Sequence, residues 1–490
     1  MPIDQVPHWD LDKLEFWARV IQTAFVFAFG ACAGSLINVL AYRMPQGLSV
    51  VHPPSRCPSC HTRLTWRENI PILGWLLLRG RCRFCKSRIS PEYPLVEFFV
   101  ASLFALIYIL WYALPPHGLY PPAQPAVWLG FDWSTIKPEW AIGGFSAGWP
   151  LFVMTLVMFG CLVAMTLCDA RTYMIPLQLA WTPGIIGVLA HAGWGIYLDL
   201  ANRGLSRTEV GWTWAIASPA ATPAGGGWWM VGASLGGILG LGVANVLVTT
   251  QLIRRSFADY QHWEDSVRPK PTPFPPIWGW GPAQTLPTAQ TQDQPKHAVP
   301  TTDGSPADFW LEYPHARREM FKELCFLAPV ISLAVLGGWI AMTVWGGPAS
   351  GVVSGSPLAT VDAANPIPMW LDALTGSLFG LLVGGGVVWC VRILGSLAFG
   401  REALGLGDVH LMAGVGACVG WIDATLAFFL SAFVGLAITL AGSLSKGKVS
   451  RALPLGPSLA IATVLVVLGK VFIERGLGVI APALAPIRLP

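Results

Sequence analysis

Residues 403–412 read ALGLGDVHLM. A single aspartate, Asp408, follows the glycine pair Gly405 and Gly407 and precedes an apolar run. An ionised carboxylate inside hydrocarbon is costly, so one found there either stands at the edge of the bilayer or has a job. What flanks it decides between a soluble and a membrane fold.

The flanks are apolar in both directions, and so is most of the chain. Of 490 residues, 53% are hydrophobic and only 12% charged, with a mean hydropathy of +0.55. Soluble domains carry about 25% charge, so a soluble enzyme is excluded and a polytopic helical membrane protein is implied. Apolar runs of spanning length occur at 18–41, 95–113, 149–168, 178–198, 229–253, 324–346, 370–395, 408–422, 424–444 and 457–474. The run at 408–422 is short and glycine-rich, which predicts a half-helix or a tilted segment. The stretch before the first run is acidic and contains Trp, unlike the short basic start of a cleaved signal peptide, so that run is expected to remain in the chain.

Basic residues orient these spans. Residues 42–94 hold Arg43, Arg56, Arg63, Arg67, Arg79, Arg81, Arg83, Lys86 and Arg88 against Glu68 and Glu92, which predicts a cytoplasmic loop. Residues 114–148 hold only Lys137 and are expected outside. Alternation then places 169–177, 254–323, 396–407 and 445–456 inside, with both termini outside. The chain divides into a tail and first span (1–41), the basic loop (42–94), spans to 253, a polar insertion (254–323) and the remaining spans (324–490). The insertion's centre, PKPTPFPPIWGWGPAQTLPTAQTQDQP, is low in complexity and cannot bury enough apolar surface to pack alone. GASLGGILGLGVANVLV (232–248) and GSLFGLLVGGGVVWCVR (376–392) look alike. Glycine stripes in spans serve close helix packing, which is the reading taken here in place of a repeat.

The basic loop carries SRCPSCHTRL (55–64) and GRCRFCKSRI (80–89). Cys57 and Cys60 form one C-x2-C knuckle, Cys82 and Cys85 the other. Four thiolates complete a tetrahedral zinc shell and leave no open position, which predicts a structural metal. Nearby arginines are expected to help keep the thiols deprotonated. The competing readings are two disulfides, disfavoured in a reducing cytoplasm, or a redox pair. Together these features predict an all-α polytopic membrane protein of about eight to ten transmembrane helices with a small cytoplasmic zinc-binding loop domain.

Asp169, in TLCDARTYMIP, is expected at the same cytoplasmic boundary as Asp408. Two adjacent buried carboxylates share a proton, so one can act as base on a water while the other protonates a scissile carbonyl. Gly405 and Gly407 would allow an unusual backbone or a close approach beside Asp408, and Pro176 would interrupt the helix after Asp169. From physics alone, a helix cap explains each aspartate equally well. Capping is also the reading for Asp199, Asp372 and Asp423, and His410 is read as a helix-face residue tuning the site.

In order along the chain, GSLINVLAYRMP (34–45), SRCPSC (55–60), GRCRFCKSRISPEYPLVE (80–97), DARTYMIP (169–176), AFGREALGLGDVHLMAGVGACVGW (398–421) and LPLGPSLA (453–460) resemble the prepilin peptidases, also called type IV leader peptidases. The resemblance implies a membrane aspartic protease of eight spans in the bacterial inner membrane, with Asp169 and Asp408 as its catalytic pair. Its substrates would be type IV prepilins or type II secretion pseudopilins with an apolar N-terminal helix, cut at the cytoplasmic face after a glycine. Many members then methylate the new N-terminus with S-adenosylmethionine, and the four-cysteine loop matches the zinc-binding form. The lipid bilayer is the other expected partner, and no nucleic acid is. Pro176-Leu177 replaces the family's Pro-Asp, His410 replaces a lysine, and the spans 229–253 and 324–346 have no counterpart. The alternatives are a presenilin-like intramembrane protease, which also uses G-x-G-D, or an ion-coupled transporter or scaffold. A transporter needs carboxylates across the bilayer, whereas both candidates are expected at one face.

Overall fold

The computed structural model describes residues 8–114, 127–202, 227–259, 315–345, 367–446 and 455–480, apart from 53, 58, 129–130, 133–135, 142–143, 173 and 401 within them. Residues 260–314 of the polar insertion, and 203–226, lie outside the described residues.

Each apolar run is a helix. α1 spans His8–Arg43, and the short α2, Leu73–Leu77, lies within the cysteine loop. α3 is Glu92–Tyr108, extended by a π-turn over Ile109–Ala113. Then come α4, Phe145–Thr172, α5, Leu177–Asn202, α6, Gly227–Thr249, α7, Ala316–Val344, and α8, Met369–Phe399. α9 is Leu406–Val419, α10 Trp421–Lys446 and α11 Leu455–Ile480. A two-residue antiparallel ladder joins Val127–Trp128 to Phe131–Asp132. Among the described residues, eight helices are long and apolar enough to cross a membrane, so this is a multi-pass α-helical membrane protein. α9 is the short one, as the sequence predicts: 14 residues rise about 21 Å, less than the ~30 Å hydrocarbon core.

Without a strong hydrophobic drive between helices in lipid, backbones must come close for packing to hold them. The two glycine stripes do this in different partnerships. In α6, Gly236 lies so near the Leu333 carbonyl of α7 that an added Cβ would collide with it. In α8, Gly380 meets the Gly416 carbonyl of α9 in the same manner. The similarity of the two stretches is thus one of packing. The main core joins α1, α3, α4, α5, α8, α9, α10 and α11 around residues such as Phe104, Phe152, Phe159, Leu162, Met165, Leu411, Met412 and Leu459.

The basic loop leaves α1 and returns at α3, and it is docked on the bundle. The Ile72 backbone N–H donates to Glu97 Oε2 of α3 at 2.6 Å, while within the loop Trp75 Nε1 donates to the Ile89 carbonyl at 3.1 Å. Asp199 does cap a helix, though one remote in sequence: its carboxylate accepts the N–H groups of Met369 and Trp370, which open α8. Asp423, in the first turn of α10, pairs with Lys470 of α11 at 3.3 Å.

Candidate active site and metal centre

The end of α4, the start of α9 and the start of α11 meet at one end of the bundle. Asp169 lies in the last turn of α4 and Asp408 in the first turn of α9, and each is only 7% exposed. Their carboxyl groups are within electrostatic reach of one another. Asp169 Oδ2 accepts the backbone N–H of Gly456 at 2.9 Å, so the α11 N-terminus supports its negative charge. An added Cβ at Gly456 would stand 2.6 Å from that oxygen. Gly456 belongs to LPLGPSLA, but a backbone donor leaves no side-chain signal, and its role was not readable from the sequence.

Gly405 forms the N-cap of α9 with an ordinary extended backbone, φ −68 and ψ 145, and its carbonyl accepts the Asp408 N–H at 3.2 Å. Neither Gly405 nor Gly407 takes a left-handed conformation, so the expected unusual backbone is not what these glycines supply. Gly407 serves close approach instead: an added Cβ would lie 3.0 Å from Ile175 Cβ, in the linker between α4 and α5. That linker exists because Pro176 separates the helices, its carbonyl receiving the Leu179 N–H at 3.0 Å. His410 Nδ1 sits 2.7 Å from the Leu406 carbonyl, and its ring packs edge-on against Trp181.

Arg392 of α8 lies behind the loop that leads into Asp408. It is 2% exposed, and one of its guanidinium nitrogens donates to the carbonyl of Leu404 and to Glu402 Oε1, the latter at 2.5 Å. Its Nε donates to Glu323 Oε1 of α7 at 3.0 Å. Arg392 lies near the end of the apolar run 370–395, where a charge calls for a partner, but nothing in the sequence names Glu323 as that partner.

The cysteine loop joins the same end of the bundle. Arg171, two residues beyond Asp169, pairs with Glu92 at the start of α3. The Sγ atoms of Cys57, Cys60, Cys82 and Cys85 all lie within 4.8 Å of one another. Cys57 and Cys85 are separated by 3.8 Å and Cys60 and Cys82 by 4.0 Å. A tetrahedron with Zn–S bonds of about 2.3 Å has edges of about 3.8 Å, so the four thiols fit that shell. The two knuckles repeat one another. Cys57 exchanges backbone bonds with Thr62 and His61 at 3.0 and 2.9 Å, and Cys82 with Ser87 and Lys86 at 2.9 and 3.0 Å. His61 and Lys86 both take positive φ, 55 and 59. Burial pushes the Cys57 thiol up, but the N–H groups of Cys60 and Ser59, with the Ser87 hydroxyl, outweigh it and bring the thiol down to about 6. Hydrogen-bond donors rather than the expected arginines thus favour its thiolate.

Fold and site define a multi-pass membrane protein that pairs a buried acidic couple with a metal-ready four-thiolate loop. Residues 28–111 match the family described as "Bacterial Peptidase A24 N-terminal domain". The chain is similar to a protein named "Prepilin leader peptidase/N-methyltransferase" from Myxococcus xanthus (strain DK1622), 52% identical over 80 residues, 16% of this chain and 24% of that one. Proteins of the same name from Klebsiella pneumoniae and Dickeya chrysanthemi are 43% identical over 89 residues (17% and 39% of the two chains) and 30% identical over 179 residues (31% and 51%). The matches span about half or less of these relatives' own length. No solved structure matches the chain. The resemblance to the prepilin peptidases therefore holds. The matched domain covers the later part of α1, the cysteine loop and α3, and stops short of both aspartates.

Proposed function

We propose that this protein is a membrane aspartic endopeptidase of the bacterial inner membrane. It removes the basic leader from type IV prepilins or type II secretion pseudopilins at the cytoplasmic face. The observation that carries this reading is the meeting of Asp169 and Asp408, remote in sequence, as buried carboxyl groups within electrostatic reach. Such a pair holds one proton between its members. The ionised member takes a proton from water as the water oxygen bonds to the scissile carbonyl carbon, and the protonated member gives its proton to the carbonyl oxygen. Collapse of the tetrahedral adduct breaks the C–N bond and returns a proton to the leaving amine. Gly456, through its N–H on Asp169, holds one carboxylate in place, while Gly405 and Gly407 support the turn that presents the other.

The substrate's apolar N-terminal helix enters from lipid while its basic leader stays in water, so the bond to be cut stands at the boundary where both aspartates lie. Cys57, Cys60, Cys82 and Cys85 hold zinc, which with four thiolates is a structural ion that stabilises the loop. The names of the relatives support a second step, transfer of a methyl group from S-adenosylmethionine to the new N-terminal amine.

The test is prepilin processing in membranes carrying wild type, Asp169→Asn or Asp408→Asn, with methylation of supplied mature pilin followed in parallel. Each substitution is expected to lower cleavage by at least ~10³-fold with zinc content unchanged. Cleavage surviving in both variants overturns the dyad. Methylation persisting in them assigns transfer to a separate site, and its absence from wild type overturns the second activity.

A further inference from the structure

Of the eight spans, α7 is the least enclosed, with 11% of its apolar window buried. Its first two turns nevertheless carry two buried acids, Glu319 and Glu323, at 6% and 3% exposure. A helix that faces lipid has no packing need for carboxylates, and desolvated charges persist where they are paired and used.

Both acids point into one connected network. Glu319 accepts the Phe257 backbone N–H at 2.8 Å, which ties the segment after α6 to α7, and pairs with Lys322 of its own helix at 2.6 Å. The Phe257 ring then lies 5.3 Å from the Arg392 guanidinium carbon. Glu323 receives Arg392 Nε on both oxygens, at 3.0 and 3.3 Å, along with Trp389 Nε1 at 2.8 Å and Ser256 Oγ at 2.8 Å. These donors fix the Glu323 carboxylate, and it fixes the guanidinium in turn. On its far side the guanidinium holds Glu402 and the carbonyl of Leu404. Leu404 adjoins Gly405, the N-cap of α9, and Asp408 is in the first turn of that helix.

We propose that Glu323 is a positioning residue, which sets Asp408 against Asp169 by locking Arg392 onto the 402–405 turn. The α6–α7 pair thereby braces the reaction centre from outside the core. The assignment rests on the proteolytic reading for its effect on rate, but the brace itself is a statement about backbone order. Displacing a reacting group by about 1 Å can cost on the order of 10²-fold in rate, so a loosened turn is read out in turnover more than in binding.

The experiment measures the full-length protein in detergent, as wild type, Glu323→Gln and Glu323→Asp. Backbone amide exchange is followed over 402–407, and prepilin cleavage is expressed per folded molecule. Glu323→Gln is expected to speed exchange in that turn and lower kcat, each by about tenfold, with KM within about twofold. Glu323→Asp, which keeps the charge, should restore most of the lost kcat. Unchanged exchange at 402–407 overturns the brace. Faster exchange with unchanged kcat, or a change confined to KM, overturns the positioning role and leaves a purely structural contact. Should Glu323→Gln fail to accumulate, Ser256→Ala removes only the hydroxyl that donates to Glu323 Oε1. It should give the same pattern at about twofold, and a wild-type turn and rate there count against the proposal. Asp408→Asn in the same detergent preparation separates the two ideas: cleavage by that variant overturns the part of Asp408 in the dyad, while amide exchange still decides the brace.

Discussion

The backbone N–H of Gly456 donates to Asp169 Oδ2 across 2.9 Å, so a side chain at the end of α4 caps α11, whose N-terminus arrives from near the other end of the sequence. Capping and catalysis are therefore not rival explanations for Asp169. The same hydrogen bond that satisfies the helix end orients the carboxylate.

Gly456→Ala should consequently impair turnover more than folding. The added Cβ would stand 2.6 Å from Asp169 Oδ2, and the carboxylate must move away from the N–H that holds it. A hydrogen bond to a charged group is worth about 1.5–3 kcal/mol, which corresponds to a loss of roughly ten- to a hundredfold in kcat. Cleavage kinetics of the purified variant, together with its melting temperature, check this. A variant that melts early but turns over normally per folded molecule contradicts it.

A shared proton gives the second expectation, in the pH profile. Only the singly protonated pair can act, so cleavage should fall both when the second proton is gained and when the last is lost, giving a bell. The limbs belong to the pair and not to either residue. A profile of kcat/KM against pH with a single limb across the accessible range would show that one group alone titrates in the reaction.

Much of the architecture was legible because a bilayer enforces it. Apolar runs must be helices when no water is present to satisfy the backbone, and α3 to α11 fall on the runs read from hydropathy. The short run at 408–422 was legible as short, and α9 is indeed too brief to span. Cys57, Cys60, Cys82 and Cys85 were legible because knuckle spacing is a local property. Loop charge and parity lead one to expect Asp169 and Asp408 at the same face of the membrane, but they say nothing of contact, and the meeting of the two side chains is a matter of tertiary packing. Gly456 could not be read, since its contribution is an N–H that every residue but proline has. Arg392 and Glu323 sit far apart in sequence, and each alone resembles a charge at a span end. Only tertiary packing shows that they are buried against each other.

The docking of the loop makes a third prediction. Glu97 is 8% exposed and takes the Ile72 N–H at 2.6 Å, close to where Gly34 of α1 passes: a Cβ there would stand 2.6 Å from Glu97 Cα. Glu97→Ala leaves that N–H without its acceptor, at a cost of about 1–3 kcal/mol. The loop should detach from α3 while its own cysteine cluster stays folded. Protease nicking between 65 and 80 should accelerate, with zinc content unchanged. Loss of zinc in this variant would mean that the cluster depends on docking.

Metal removal should have the opposite pattern. The knuckles at Cys57 and Cys82 rest on a few backbone bonds and two positive-φ residues, His61 and Lys86, so an ion bound by the four thiols would supply most of what holds them together. Four-thiolate zinc binding is worth about 10–16 kcal/mol in small domains at neutral pH, far more than those turns supply. A strong chelator, or Cys82→Ser, should therefore unfold 55–89 and expose it to protease throughout. The bundle should remain intact, since its core lies elsewhere, in α1, α3 to α5 and α8 to α11. Asp169 would feel the change indirectly, because Arg171 is paired with Glu92 where the loop rejoins α3. Cleavage should then fall partially, by about tenfold or less given the modest worth of a half-exposed ion pair, and readdition of zinc should restore it. Complete loss of cleavage with a folded bundle would instead assign the loop a direct part in holding substrate.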